Sequence, residues 1–400
     1  MPHTFHPSIL REYDVRGVFE ETLTPKDAYF VGRCYATMLP GKKCTVAVAW
    51  DGRLSSPILK ENLIQGLVES GVNVIEVGLG PTPLLYFSVH HLKLDGGIMV
   101  TGSHNPKNHN GFKMMFKEHI ITGDEIRLFQ QTVRHLPTVF ECGERSSKDL
   151  SDEYIKRLLK DLTLKKRLNV VWDAGNGAAG KLIEKLVSSL PGIQHTLFCD
   201  IDGTFPHHHP DPSDPDNLVH LQEKVCEEKA DLGFAFDGDG DRLGVVDEKG
   251  RLLPIDQMIM LLARDVLKDH PGAAIISDVK ASQALFEDIK AHNGCPIMWK
   301  TGHSLIKSRM KEMSAPLAGE LSGHIFFADR YYGYDDALYC AVRLLNIVAN
   351  FEGGKSLNAA LADFPEMFNT PEIRFEVDES EKFAIVDKVL AAMQKQAEQL

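Results

Sequence analysis

Three short segments carry residue types that could do chemistry together. In Asp237-Gly238-Asp239-Gly240-Asp241-Arg242, carboxylates alternate with glycines. Three carboxylates this close repel one another unless a cation joins them. A hard, oxygen-seeking ion such as Mg²⁺ suits the set and leaves room for a phosphate oxygen. The spacing also follows the opening of an EF-hand, with Glu248 at the twelfth position. Arg242 stands where that loop needs glycine, and the flanks read as strands, so an EF-hand is excluded. Thr101-Gly102-Ser103-His104-Asn105-Pro106 follows a strand-like run. Its serine is expected to be exposed, beside an imidazole able to move a proton or meet a phosphate. The G-x-S-x-G spacing of the hydrolase elbow is missing, and an ordinary Ser/Asn/Pro turn is the plain alternative. In Gly319-Glu320-Leu321-Ser322-Gly323-His324 the polar residues alternate. In an extended loop they would face one way and suit a polyhydroxy ligand, against a plain polar loop as the alternative.

Cations near these loops matter for an anionic ligand. Arg16, Lys113 and Lys280 sit in or beside Gly or Asp turns, and Lys300 and His303 share the run Lys300-Thr301-Gly302-His303-Ser304. Each alone reads as a surface charge. Two further features mislead. Gly175-Asn176-Gly177-Ala178-Ala179-Gly180 follows a strand-like run and precedes a helix-like one, with Asp200 downstream. That fits a dinucleotide fingerprint and an NAD-dependent oxidoreductase, although glycines also allow close strand–helix packing with no ligand. His207-His208-His209-Pro210 invites a zinc reading, but adjacent side chains diverge, so a Pro-rich loop packed between domains is favoured.

The elements that would position these loops alternate in type. Cys44 to Trp50 is an apolar run of strand length; Ser56 and Pro57 then open a helix as N-cap and first residue, and Gly71 closes it. Strand-like runs follow at 72–77, 97–100, 169–172, 195–199, 231–236, 243–247 and 273–277. Strand followed by an Asp-containing turn recurs at Asp51, Asp173, Asp237 and Asp278. Strands alternating with helices predict βαβ units and mostly parallel sheets, in domains of about a hundred residues. An amphipathic helix is expected over 149–168, at a first domain boundary. A second boundary is expected near 250–253 and a third near 364–371.

The chain has 400 residues and a net charge of −12. That length calls for two to four domains. With 43% hydrophobic and 25% charged residues it reads as folded and soluble. No apolar window is long enough to span a membrane, and no secretory signal is visible. The acidic balance argues against nucleic acid as a partner, while a local field can still favour anionic small molecules. Seven scattered cysteines without a C-x-x-C pair read as buried, unpaired thiols of a reducing, cytoplasmic compartment.

Taken together and in order, TGSHNP, DGDGDR and GELSGH resemble the α-D-phosphohexomutase superfamily, with particular likeness to its bacterial phosphomannomutase/phosphoglucomutase members. The likeness runs from Tyr13-Asp14-Val15-Arg16-Gly17 to the end of the chain and includes FPHHHPDP and KTGHSLIK. It implies an α/β fold of repeated phosphohexomutase-type domains around a cleft: 1–148 bearing the phosphoserine, 149–251 the metal, 252–363 the sugar site. It implies phosphorylation at Ser103 and Mg²⁺ held by Asp237, Asp239 and Asp241 together with Ser103. Glu320, Ser322 and His324 match the sugar loop, and Tyr13, Arg16, Lys280 and Lys300 join them as substrate-binding residues. His104, Lys113 and His303 are candidate bases, and Arg242 offsets phosphoryl charge. Gly102, where phosphoglucosamine mutases tend to have Ala, points to mannose and glucose phosphates. The expected activity is interconversion of hexose 1- and 6-phosphates, with a hexose 1,6-bisphosphate activator, by a cytoplasmic monomer. The family's fourth-domain loop R-x-S-x-T-x-P has no match here. Residues 364–400, a strand-like stretch (372–377) and a helix (380–399), are therefore expected to be an incomplete fourth domain of a truncated chain. Such a chain would be an impaired mutase or a sugar-phosphate binder.

Overall fold

The computed structural model describes residues 3–41, 43–117, 119–121, 123–138, 141–364, 377 and 381–397. Met1–Phe364 forms one compact unit and Pro365–Leu400 a second.

The first unit holds three mixed sheets. The first contains β1 (Val15–Val18), β2 (Thr45–Trp50), β3 (Asn73–Leu79), β4 (Gly96–Val100), β5 (His109–Phe116), β6 (His119–Ile120) and β7 (Arg145–Ser147). Its order is β1-β5-β4-β2-β3-β7, with β6 beside β5. The second is β11-β10-β8-β9, from β8 (Leu168–Asp173), β9 (Gly192–Leu197), β10 (Leu232–Phe236) and β11 (Leu243–Asp247). The third is β13-β12-β14-β15, from β12 (Ala274–Asp278), β13 (Cys295–Trp299), β14 (Leu317–Gly319) and β15 (Ile325–Phe327).

One pattern repeats three times. A central strand (β2, β8, β12) has a parallel neighbour on each side, and the second of these (β4, β10, β14) turns back into an antiparallel strand (β5, β11, β15). The loops making that turn-back are 101–108, 237–242 and 320–324, so all three chemical motifs occupy one topological position. The strands β4, β10 and β11 are buried at every residue, as expected where a sheet is covered on both faces.

Local side chains cap some of the helix starts. Thr24 and Asp27 form a capping box before Pro25 in the helix Pro25–Met38. Asp336 accepts from the Tyr339 amide and caps the helix Ala337–Ala349. The helix Ser56–Val68 departs from expectation: Ser55 takes the cap position without a side-chain bond, and the Ser56 hydroxyl donates to Asp51. The helix expected over 149–168 is only Ser151–Leu158, with Tyr154, Ile155 and Leu158 buried; Leu159, Leu162 and Leu164 pack against the core beyond its end.

A continuous core joins the sheets. Phe87, Tyr154, Trp172, Phe234, Ile259 and Tyr339 belong to one buried cluster, which links helix Thr82–Leu92 of the first domain to the second and third sheets. A second cluster, including Val31, Tyr35, Leu63 and Phe112, fills the other face of the first sheet. All seven thiols are free, with Cys142, Cys226 and Cys295 exposed, contrary to the expectation that the thiols are buried. Among the described residues no helix is long and apolar enough to cross a membrane.

In the second unit, the helix Lys382–Ala397 exposes Ile385, Val386, Val389, Leu390 and Met393. The strand expected over 372–377 lies outside the described residues apart from Val377, and the boundary expected near 364–371 lies outside them apart from Phe364.

Candidate active site

The serine loop and the acidic loop close on each other. Ser103 is buried rather than exposed as expected, because the backbone of Gly238 covers it: a Cβ there would lie 2.4 Å from the Ser103 carbonyl. The Ser103 hydroxyl donates to Asp237 Oδ2 at 2.9 Å, and its Oγ lies 3.2 Å from His104 Nδ1. Ser103 itself sits at φ 49°, a left-handed conformation that a non-glycine residue holds only where its surroundings impose it.

Those surroundings are Asp51 and Arg53, both beyond the end of β2. Asp51 Oδ2 accepts from Thr101 Oγ1 at 2.8 Å and from the Gly102 amide at 3.0 Å. The Arg53 guanidinium donates to the carbonyls of Ser103, Asn105, Pro106 and His109. It fills the space beside Gly102, where a Cβ would lie 2.4 Å from Arg53 Nε. His209 Nε2 adds a bond to the His104 carbonyl at 2.5 Å. Asp278 plays a similar part at the third motif: Oδ1 accepts from the Leu321 amide at 3.2 Å and Oδ2 from Thr301 Oγ1, on the loop after β13, at 3.0 Å.

The acidic loop is fully buried: Asp237, Asp239 and Asp241 are each 0% exposed. Lys113, on β5, reaches Asp239 Oδ2 at 2.7 Å and Asp241 Oδ2 at 2.5 Å. Thr82, at the start of its helix, donates its hydroxyl to Asp239. Burial pushes the Asp237 carboxyl up, and the charges of Asp241 and Asp239 add to the push. Burial acts the same way on Asp239, but Lys113 outweighs it and holds that carboxyl below its usual range. Burial alone would lower Lys113; the surrounding carboxylates raise it instead, so it stays protonated. The three carboxylates offer oxygens within 4.8 Å of one another, and Asp239 Oδ1 and Asp241 Oδ1 have no hydrogen-bond partner. Buried acceptors left open in this way fit a hard cation.

The third motif departs from expectation in conformation. Residues 320–324 form a tight turn, closed by the Gly323 amide on the Glu320 carbonyl, rather than an extended loop. Glu320 and His324 consequently serve different partners. Glu320 Oε1 accepts from the Gly302 amide at 2.5 Å, and burial raises its carboxyl. Gly302 is wedged at φ 131° against Tyr13, whose hydroxyl donates to the Thr301 carbonyl at 3.1 Å. His324 Nε2 accepts from Arg242 Nε at 3.0 Å, while its Nδ1 faces Asp335 Oδ2 at 2.9 Å. The His303 and His324 rings lie 5.7 Å apart, connecting the two groups. Burial lowers both His104 and His303, aided by nearby cations, and keeps them neutral.

Ser103, His104, Lys113, the three aspartates, Arg242 and His324 thus form one contact network, with Tyr13, His303 and Glu320 beside it. Arg16 pairs with Asp14. Ser322 is half-buried, and Lys280 and Lys300 are exposed on the loops after β12 and β13, outside these contacts. Asp51, Arg53, Thr82 and Asp335 were not foreseen. Asp51 alone left a trace, as a strand-end aspartate.

The glycine fingerprint at 175–180 is packing. A Cβ on Gly180 would lie 2.1 Å from the Cys199 carbonyl, and one on Gly177 3.0 Å from the Gly238 carbonyl. The Ala178 amide donates to that same carbonyl, so this turn braces the acidic loop. His207, His208 and His209 go separately to Asn176, Asp173 and His104.

Models of the phosphoglucomutase/phosphomannomutase alpha/beta/alpha domains I, II and III match residues 7–128, 152–250 and 254–368. The chain belongs to the phosphoglucomutase/phosphomannomutase family. It is 45% identical over 399 residues to a phosphomannomutase/phosphoglucomutase of Pseudomonas putida, covering 100% of this chain and 85% of that protein. It is 42% identical to a phosphoglucomutase of Neisseria meningitidis, covering 96% of this chain and 84% of that one. Among solved structures it resembles a phosphoglucomutase/phosphomannomutase family protein of Burkholderia thailandensis, with TM-score 0.87 and 43% identity over 92% of this chain and 82% of that one. The expected C-terminal truncation is not borne out, and an incomplete fourth domain is not confirmed: the three domain matches end at residue 368, while the P. putida match runs the length of the chain.

Proposed function

We propose that this protein is a phosphohexomutase, interconverting the 1- and 6-phosphates of mannose and glucose through a phosphoryl group carried on Ser103. The observation that carries the reading is the Ser103 hydroxyl, held 2.9 Å from Asp237 Oδ2 in a site closed by three aspartates and Lys113. Domains 1–148, 149–251 and 252–363 supply the serine, the acidic loop and the sugar loop. Asp237, Asp239, Asp241 and Ser103 would hold Mg²⁺, which supplies charge neutralisation for a transferring phosphoryl group.

The chain's own groups divide the remaining work. Phosphorylated Ser103 gives its phosphoryl group to the free sugar hydroxyl: the Oγ–P bond breaks, the new O–P bond forms, the hydroxyl proton leaves to a base, and Ser103 Oγ takes up a proton to become the free hydroxyl. Neutral His104 and His303 can accept that proton, whereas protonated Lys113 cannot. The resulting hexose 1,6-bisphosphate, also the activator, reorients and returns its other phosphoryl group to Ser103. Arg242, oriented by His324, meets the charge on the transferring group. Glu320, His324, Ser322 and Tyr13 address sugar hydroxyls, and Arg16, Lys280 and Lys300 the phosphates. The enzyme works as a cytoplasmic monomer.

The test is a coupled assay from glucose 1-phosphate or mannose 1-phosphate to the 6-phosphate, with Mg²⁺ and glucose 1,6-bisphosphate, alongside peptide mass spectrometry of residue 103. Ser103→Ala is expected to lose both turnover and the peptide phosphate. Retained turnover in that variant sinks the assignment.

A further inference from the structure

One buried ion pair beside the site has no task in the reaction above. Asp335 is 0% exposed, and Lys307, on the helix His303–Met313, sets its Nζ 2.5 Å from Asp335 Oδ1. Taking two charges out of water is costly, and apolar residues of the same volume often serve stability as well. Both partners are also held in place. Asp335 bridges to Phe326 through the backbone and directly precedes Asp336, the cap of helix Ala337–Ala349. Lys307 Nζ lies over the rings of Tyr86 and Phe326, at 4.5 and 5.8 Å.

With Oδ1 taken by Lys307, Asp335 turns Oδ2 toward His324 Nδ1 at 2.9 Å. The other ring nitrogen, Nε2, accepts from Arg242 Nε at 3.0 Å. An arginine Nε can only donate, so the neutral ring carries its proton on Nδ1. The other tautomer would set N–H against N–H at Arg242 and a lone pair against a carboxylate oxygen at Asp335. Nδ1 and Oδ2 lack the alignment of a hydrogen bond, so the carboxylate acts through its charge, which depends on distance. Asp241 Oδ1 faces the same nitrogen at 3.5 Å, but Asp241 also belongs to the metal set, which leaves Asp335 as the ring's own carboxylate.

We propose that Asp335 and Lys307 are positioning residues for His324, and through it for Arg242, an inference that rests on the mutase reading. Lys307 fixes the carboxylate. The carboxylate keeps the ring proton on Nδ1. Nε2 is then free to hold the Arg242 guanidinium where it meets the transferring phosphoryl group.

The experiment joins steady-state kinetics with NMR of the ¹⁵N-histidine-labelled full chain, the His324 signals being assigned by their loss in His324→Gln. The unsubstituted protein should show the His324 proton on Nδ1. Asp335→Asn keeps the shape, leaves its oxygen to Lys307 and turns an amide N–H toward Nδ1. The ring proton should move to Nε2, and kcat for glucose 1-phosphate should fall at least about a hundredfold with little change in KM, as expected for a histidine held in the wrong tautomer. Lys307→Met should lower kcat less and leave the proton on Nδ1, because Asp335 keeps its charge. A proton on Nε2 in the unsubstituted protein overturns the proposal, whether or not the variants fold. So does a folded Asp335→Asn protein with unchanged tautomer or unchanged kcat. Absence of turnover in the unsubstituted protein sinks the mutase reading instead, and the ring proton still decides whether Asp335 orients His324.

Discussion

Lys113→Met tests whether a single lysine holds the acidic loop together. Lys113 is 4% exposed, and the three aspartates it faces are fully buried. Methionine keeps the apolar stem and removes the charge. Removing one partner of a buried pair costs about 3–5 kcal/mol, because the charge left behind is uncompensated. Here Asp239 and Asp241 lose the same partner, so the upper end applies. A loss of about 5 kcal/mol is more than a thousandfold in the folding equilibrium. A cation bound by the folded state restores stability as its concentration rises above Kd, by about 4 kcal/mol at a thousandfold excess. Removing the neighbouring positive charge also tightens cation binding, so Mg²⁺ should stabilise the variant more than the parent. The assay is urea unfolding followed by circular dichroism, for both proteins, in EDTA and in excess MgCl₂. The variant should unfold at much lower urea in EDTA, and the gap should narrow sharply in MgCl₂. An equal gap in both buffers, or none in EDTA, refutes the reasoning.

Other outcomes follow from the same contacts. Arg53→Lys keeps a charge but cannot serve four carbonyls; at about 1.5–3 kcal/mol for each lost bond to a charged group, Ser103 should relax from its left-handed backbone, and phosphate uptake from glucose 1,6-bisphosphate should fall at least tenfold with secondary structure intact by circular dichroism. Gly302→Ala puts a Cβ 2.7 Å from the Tyr13 ring at φ 131°, so Tyr13 must move and KM for glucose 1-phosphate should rise more than kcat falls. Asp336 gives a pH signature: burial pushes its carboxyl from 3.8 up to about 6, despite hydrogen bonds from Tyr339, Tyr331 and Tyr154. Because the folded state holds this proton more tightly than the unfolded one, its contribution to stability falls by about 3 kcal/mol as pH rises from about 4 through 6. Asp336→Asn should remove that slope from denaturant midpoints, and an unchanged slope would contradict the assignment.

The three chemical loops were legible because each concentrates its meaning in a few contiguous residues. Strand-like runs at 243–247 and 97–100 came within a residue of β11 and β4, since strands buried at every residue are short and rich in apolar side chains. The helix expected over 149–168 overshot because Leu159, Leu162 and Leu164 go on packing against the core after the helix has ended, so the apolar pattern outlasts the helix. Arg53, Thr82 and Asp335 escaped notice because nothing local marks them. Arg53 matters through carbonyls about fifty residues away, and Thr82 through Asp239.

The amino-acid sequence by itself determined the alternation of strands and helices, the identity of the three loops, and the chemistry their side chains can perform. Residue type and spacing decide those, and they act over a few positions. Only the tertiary structure decided that Ser103 is buried, that Lys113 and not solvent faces the aspartates, and that 175–180 braces a loop instead of holding a dinucleotide. The physical reason is topological. Each sheet turns back on itself at the same place, so three loops far apart in the chain lie at the carboxyl ends of corresponding strands. Their charges then acquire partners, and lose water, only when those ends come together.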